Sequence, residues 1–102
     1  MTDSYGGMSK QEASDLRAAE ALIGAREWTA ARFLLHRLAT ANRAEPRYRA
    51  LLAFVLGHEA KASGDVDRAR AEWDRALQLD PSLAARGIRR RRGSIVQRWF
   101  GR

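Results

Sequence analysis

In residues 50–81, ALLAFVLGHEAKASGDVDRARAEWDRALQLDP, apolar residues recur every three or four positions on both sides of Gly64-Asp65. That period is helical. On the N-terminal side Tyr48, Leu51, Leu52, Val55, Leu56 and Ala60 share the inward face of a helix that starts at Pro46 and stops at Gly64. Proline suits the first turn, where its missing N–H would have had no partner. On the C-terminal side Asp65 caps a helix whose Val66, Ala69, Trp73, Ala76 and Leu77 turn inward. Asp80-Pro81 ends it, because the residue before a proline is pushed out of the α region.

The same pattern extends upstream. Ser9 followed by Glu12 forms a capping box, so a first helix is expected from Lys10, with Leu16, Ala19 and Ile23 on one face and Gly24 closing it. A second helix is expected over residues 28–44, with Trp28, Ala31, Leu34, Leu35 and Leu38 inward. Short loops join the four, so consecutive helices should pack as antiparallel neighbours. Residues 1–8 read as a disordered lead-in, residues 9–88 as one helical domain and residues 89–102 as a basic amphipathic segment.

Spaced in this way, residues 50–81 resemble a tetratricopeptide repeat. The family's signature falls on Leu56 and Gly57 in one helix and on Ala69, Trp73, Ala76 and Pro81 in and after the next. Ala53 and Ala60 stand where larger residues are usual. Gly57 and Ala69 are small where the helices of a pair cross closely, Trp73 fills the space they leave, and Ala76 admits the next helix. The first hairpin is a degenerate repeat. Its Trp28, Ala31, Leu35 and Leu38 match Val66, Ala69, Trp73 and Ala76, but the offset is 38 residues at the first two pairs and Ala19 stands at the close crossing. The extra residues fit a longer second helix or a loop near residues 41–45. The resemblance covers residues 10–81 and implies an all-α fold of two antiparallel helix-turn-helix hairpins. Leu83, Ala84 and Ile88 continue a helical stripe that would supply a C-terminal capping helix. Two hairpins are fewer than such arrays usually need, so a cap, self-association or a longer parent chain must add stability.

Members of that family are generally non-enzymatic adaptors that hold a partner peptide or helix in a concave groove. Carried over residue by residue, the groove would be lined by Leu51, Phe54, His58 and Lys61, with Ala13, Leu16 and Glu20 from the first hairpin. The Lys, Asn and Arg that grip chaperone carboxylates in some members are replaced here mainly by apolar residues, which disfavours that role. An apolar groove centred on Phe54 suits an amphipathic helix or apolar peptide. The alternative is that Leu51 and Phe54 pack on a neighbouring helix or on a second copy of the chain.

Composition sharpens the division of labour. The 102 residues are 45% hydrophobic and 30% charged, with no cysteine and a formal charge of +7. Residues 1–85 hold 12 Lys/Arg and 12 Asp/Glu, whereas residues 86–102 hold seven Arg and no acid, so the whole excess lies in one segment. Without cysteine there is neither a disulfide frame nor a thiolate metal site. The longest apolar run, residues 51–57, is far short of the ~20 that span a bilayer. Nor does the N-terminus look like a secretory signal. The expected address is the cytoplasm, with a peripheral place at the inner membrane surface open to the basic segment.

In that segment Gly93 should break the chain and Ser94 with Gln97 should cap a short helix over residues 95–100. Arg89, Arg90, Arg91, Arg92 and Arg98 would then accompany Ile95, Val96, Trp99 and Phe100. Three roles stay open: docking on the protein's own body or a sister subunit, reversible binding to an anionic membrane surface, and, less favoured, non-specific contact with nucleic acid. No catalytic chemistry, cofactor or metal is expected. His36 and His58 lie 22 residues apart, and the carboxylates of residues 65–75 alternate with Arg as on a solvated, ion-paired face.

Overall fold

Local sequence decides where each helix begins. A computed structural model describes residues 9–86, which form α1 (Lys10–Gly24), α2 (Trp28–Ala41), α3 (Pro46–Ala62), α4 (Val66–Leu79) and a 3-10 helix (Pro81–Arg86). Ser9 Oγ accepts from the Glu12 N–H at 3.0 Å, and Asp65 Oδ1 accepts from the Arg68 N–H at 3.1 Å. Glu45, just before Pro46, accepts from the Arg47 N–H at 3.2 Å. Three of the four helix starts thus carry a side-chain cap; Glu27, before α2, makes none.

The described chain is all-α. Among the described residues the principal helix pairs are sequential, α1 with α2, α2 with α3 and α3 with α4. The helices therefore stand in an open row, not a closed four-helix bundle. Leu16, Ala19, Ile23, Ala31, Leu35, Leu38, Tyr48, Leu51, Val55, Ala76 and Leu77 make one continuous buried core through that row. Helix α3 is buried on nearly all sides because it lies between α2 and α4.

Two turns share one geometry. After α1, the Arg26 N–H bonds Ile23 O at 3.0 Å and the Glu27 N–H bonds Leu22 O at 2.9 Å; after α3, the Gly64 N–H bonds Lys61 O at 3.0 Å and the Asp65 N–H bonds Ala60 O at 2.8 Å. This is the crossed pair of bonds that closes a helix around one left-handed residue. That residue is Gly64 (φ 90°) in the second turn and Arg26 (φ 62°) in the first. Gly24, expected to close α1, is instead its last helical residue, and the left-handed position falls two residues later.

Helix α2 stops at Ala41, three residues before the expected end. Asn42 leaves the helical region, and its Nδ2 donates to Glu12 Oε2 at 2.9 Å. The buried Tyr48 hydroxyl donates to the same oxygen at 2.7 Å. One carboxylate so joins the start of α1, the end of α2 and the first turn of α3. The Asn42 and Tyr48 hydrogen bonds hold the Glu12 carboxyl below its ordinary pKa of 4.5, and burial and the same contact push the Tyr48 phenol up.

The expected capping helix is a 3-10 turn. Asp80 Oδ1 accepts from the Ser82 hydroxyl at 2.7 Å and its N–H at 3.1 Å, while the Leu83 N–H bonds Asp80 O at 3.1 Å. These short-range bonds wind the chain too tightly for an α-helix. Leu83 is 2% exposed and joins the core, but Ala84 is exposed. Val66, expected inward, is 50% exposed at the first position of α4, directly after the turn. The readings for residues 1–8, for Ile88 and for residues 89–102 lie outside the described residues.

Gly57 of α3 lies directly against Trp73 of α4. A Cβ at Gly57 would intrude on the indole, whose Nε1 donates to Phe54 O at 3.2 Å. At Gly24, by contrast, a Cβ would meet nothing within 4 Å. Alanine in place of an unconstrained helical glycine stabilises by roughly 0.5–1 kcal/mol. Gly24→Ala should therefore raise the urea midpoint. Gly57→Ala should lower it, because overpacking of about 1–3 kcal/mol outweighs the propensity gain. Trp73→Leu in the Gly57→Ala background should cost less than it does alone; strict additivity of the two changes would remove this account.

Candidate functional site

A concave feature lies where the last turn of α1 faces the C-terminal half of α3. Ile23 and Gly24 from α1, Arg26 from the turn, Trp28 from α2, and Phe54, His58, Lys61 and Ala62 from α3 line an open cleft of about 640 Å³. Phe54, His58 and Lys61 share a face because positions three and four apart on a helix project together. Trp28 reaches the same place because the left-handed turn at Arg26 reverses the chain directly before it.

His58 is the hub of the wall. It stacks on Trp28 at 4.2 Å with the rings 4° from parallel, and it meets Phe54 at 4.8 Å and Trp73 at 5.1 Å edge to face. Trp28 and Phe54 are also edge to face, at 6.4 Å. Such pairs contribute about 0.5–1.5 kcal/mol each beyond the area they bury. Burial pushes the His58 pKa below its ordinary 6.5, and the neighbouring cations Lys61 and Arg26 push it the same way. The imidazole is consequently neutral at pH 7. The lining holds two cations and no carboxylate.

The groove residues read from the sequence separate into two groups. Phe54, His58 and Lys61 line the cleft. Leu16 and Leu51 do not, since both lie in the core, as does Ala13, and Leu51 is 1% exposed. Phe54 is itself 3% exposed, so it supports the wall and offers almost no surface. Glu20 is half-buried and outside the lining. Leu16 and Leu51 belong to the one buried cluster that runs through all four helices, so neither is left open to a partner. Sequence reasoning missed Arg26 altogether and placed Trp28 only in the core. The 38-residue offset held the signal: it pairs Trp28 with Val66 and, carried two residues back, Arg26 with Gly64.

Two further hollows lie on the opposite face of α3. One, of about 480 Å³, is lined by Arg49, Leu52, Ala53, Leu56, Arg75, Gln78 and Leu79. The other, of about 330 Å³, holds the Arg32–Glu59 pair at 2.7 Å, with Thr29 donating to Glu59 at 3.2 Å. That pair joins α2 to α3, while Asp65 and Arg68, also in the lining, serve the start of α4. Among the described residues no group of three or more His, Cys, Asp or Glu is placed to hold a metal ion, and no helix is long and apolar enough to cross a membrane.

The state of His58 gives a pH test with a definite sign. Between its depressed folded pKa and 6.5 the unfolded chain binds the proton and the folded chain does not, so stability rises with pH there. The stability due to neutral His58 should be complete above pH 6.5 and lost as pH falls through the folded value. Chemical denaturation from pH 7 down to pH 5 should show that loss in the parent and a weaker loss in His58→Phe, which keeps a ring in the stack. Parallel profiles would refute it. In comparisons with protein families, curated proteins and solved structures, no match to this chain was found.

Proposed function

We propose that the chain is a non-enzymatic adaptor, a tetratricopeptide-like pair of hairpins that holds a partner peptide or helix. The cleft between α1 and α3 is the contact site, and the Arg-rich residues 86–102 add an auxiliary one. The observation that carries this reading is the cleft's wall. It presents an aromatic stack, Trp28 on His58, already ordered by Phe54 and Trp73 behind it. Rigid aromatic surface at a concave site loses little conformational entropy on binding, which is why Trp and Tyr dominate the energetics of protein interfaces. The matching turns at Arg26 and Gly64, the 38-residue correspondence of α2 with α4 and the Gly57–Trp73 crossing support the repeat architecture. An open row of helices also leaves one concave side that a closed bundle would fill.

The test blocks the cleft without touching the core. Gly24 lines it and has free space around its Cβ position, so Gly24→Trp should leave helix content and urea midpoint near those of the parent. Dodecapeptides selected on the parent chain from a displayed random library should shift the Trp28 indole resonance on titration. Gly24→Trp should weaken them by at least about tenfold, equivalent to ~1.4 kcal/mol. Gln78→Trp, on α4 beside the hollow at the other face of α3, should leave affinity unchanged. Binding that survives Gly24→Trp would place the site elsewhere.

A further inference from the structure

We infer that the cleft recognises an acidic side chain on its partner, a carboxylate next to a bulky apolar residue, held between Arg26 and Lys61. The inference rests on the adaptor reading and adds the partner's chemistry.

Three observations carry it. First, the lining is electrically one-sided. Arg26 and Lys61 flank it, no carboxylate lines it, and neither cation forms a salt bridge with a described residue. Of the other arginines beside hollows, Arg32 pairs with Glu59 and Arg68 and Arg75 pair with Glu72, while Arg49 donates to the Arg43 carbonyl at 2.8 Å. Two cations on apolar walls concentrate a positive field, which favours entry of an anion.

Second, Arg26 occupies a left-handed backbone position, φ 62°, that disfavours any residue with a Cβ. The equivalent position in the other hairpin is Gly64, φ 90°. Strain of this kind tends to persist where a site uses the side chain. Here it puts a guanidinium on the rim, and a guanidinium can meet a carboxylate through two parallel hydrogen bonds.

Third, the cleft is not simply a phosphate-like anion hole. Ile23, Trp28 and the buried edge of Phe54 give it an apolar floor beside the two cations. That pairing matches a peptide with an acidic residue adjacent to Leu, Ile, Phe or Trp. An acidic partner also complements Arg26 and Lys61 better than the seven Arg of residues 86–102 would.

The experiment uses the full chain and the selected dodecapeptides. Their consensus should contain Asp or Glu beside a bulky apolar residue. Replacing that acid by its amide should weaken a synthetic peptide at least tenfold, and so should Lys61→Gln or Arg26→Gly in the protein. Affinity should fall with added salt, as expected for a charge pair near the surface. Arg26→Gly relieves the left-handed strain, so its thermal midpoint should equal or exceed the parent's while binding is lost; that combination separates a binding role from a folding role. A consensus without acid, or affinities unchanged in both variants, would overturn the inference and leave the adaptor reading standing. Failure of any peptide to enrich would overturn both. Concentration-dependent self-association abolished by Lys61→Gln would overturn it in favour of a contact between two copies.

Discussion

The contact between Gly57 and Trp73 is the constraint on which the rest of the row depends. With no side chain at Gly57, α3 and α4 approach closely enough for the indole to lie against the α3 backbone and donate to Phe54 O. The tryptophan so placed meets His58 edge to face, and His58 in turn carries Trp28 on its other side. The helix crossing and the cleft wall are therefore one construction. A change in how α4 lies on α3 would be felt at the ring that faces solvent.

At the other end of the row, a polar group does the equivalent work. Glu12 accepts from both Tyr48 and Asn42, so that the start of α1, the end of α2 and the start of α3 meet on one carboxylate. Because Tyr48 is fully buried, its hydroxyl needs a partner, and leaving a buried donor unpaired costs ~1–3 kcal/mol. Glu12 is also the partner of the N-cap Ser9 in the first turn of α1, and a single residue thereby couples a local helix signal to a tertiary join. The Arg32–Glu59 pair adds a third link, between α2 and α3.

Much of this order is legible in the sequence. Ser9, Pro46 and Asp65 marked helix starts correctly because capping and the first turn are decided by neighbours three residues away or fewer. Gly57, Ala69 and Trp73 could be read as a close crossing because their sizes are complementary at a fixed spacing. What misled was the assignment of faces on α3. Its apolar residues run almost all round the helix, and periodicity then cannot say which ones a neighbour will cover. The repeat pattern places Leu51 in the groove, whereas it is core; it places His58 and Lys61 there too, and both line the cleft.

Sequence by itself determined the four α-helices of the described residues, their boundaries to within three residues, the 3.6-residue stripes that form the core and the concentration of charge in residues 86–102. These follow from interactions along the chain, where separation in sequence fixes separation in space. Only the tertiary structure decided that the helices form an open row, that Glu12 serves three elements and that Arg26, Trp28, His58 and Lys61 come together. Those residues belong to different turns of different helices, and their meeting depends on crossing geometry that steric fit selects after the helices exist. The left-handed backbone at Arg26 shows the division most sharply: arginine gives no local cue for it, and the demand comes from closing α1 against α2 in the same way that Gly64 closes α3 against α4.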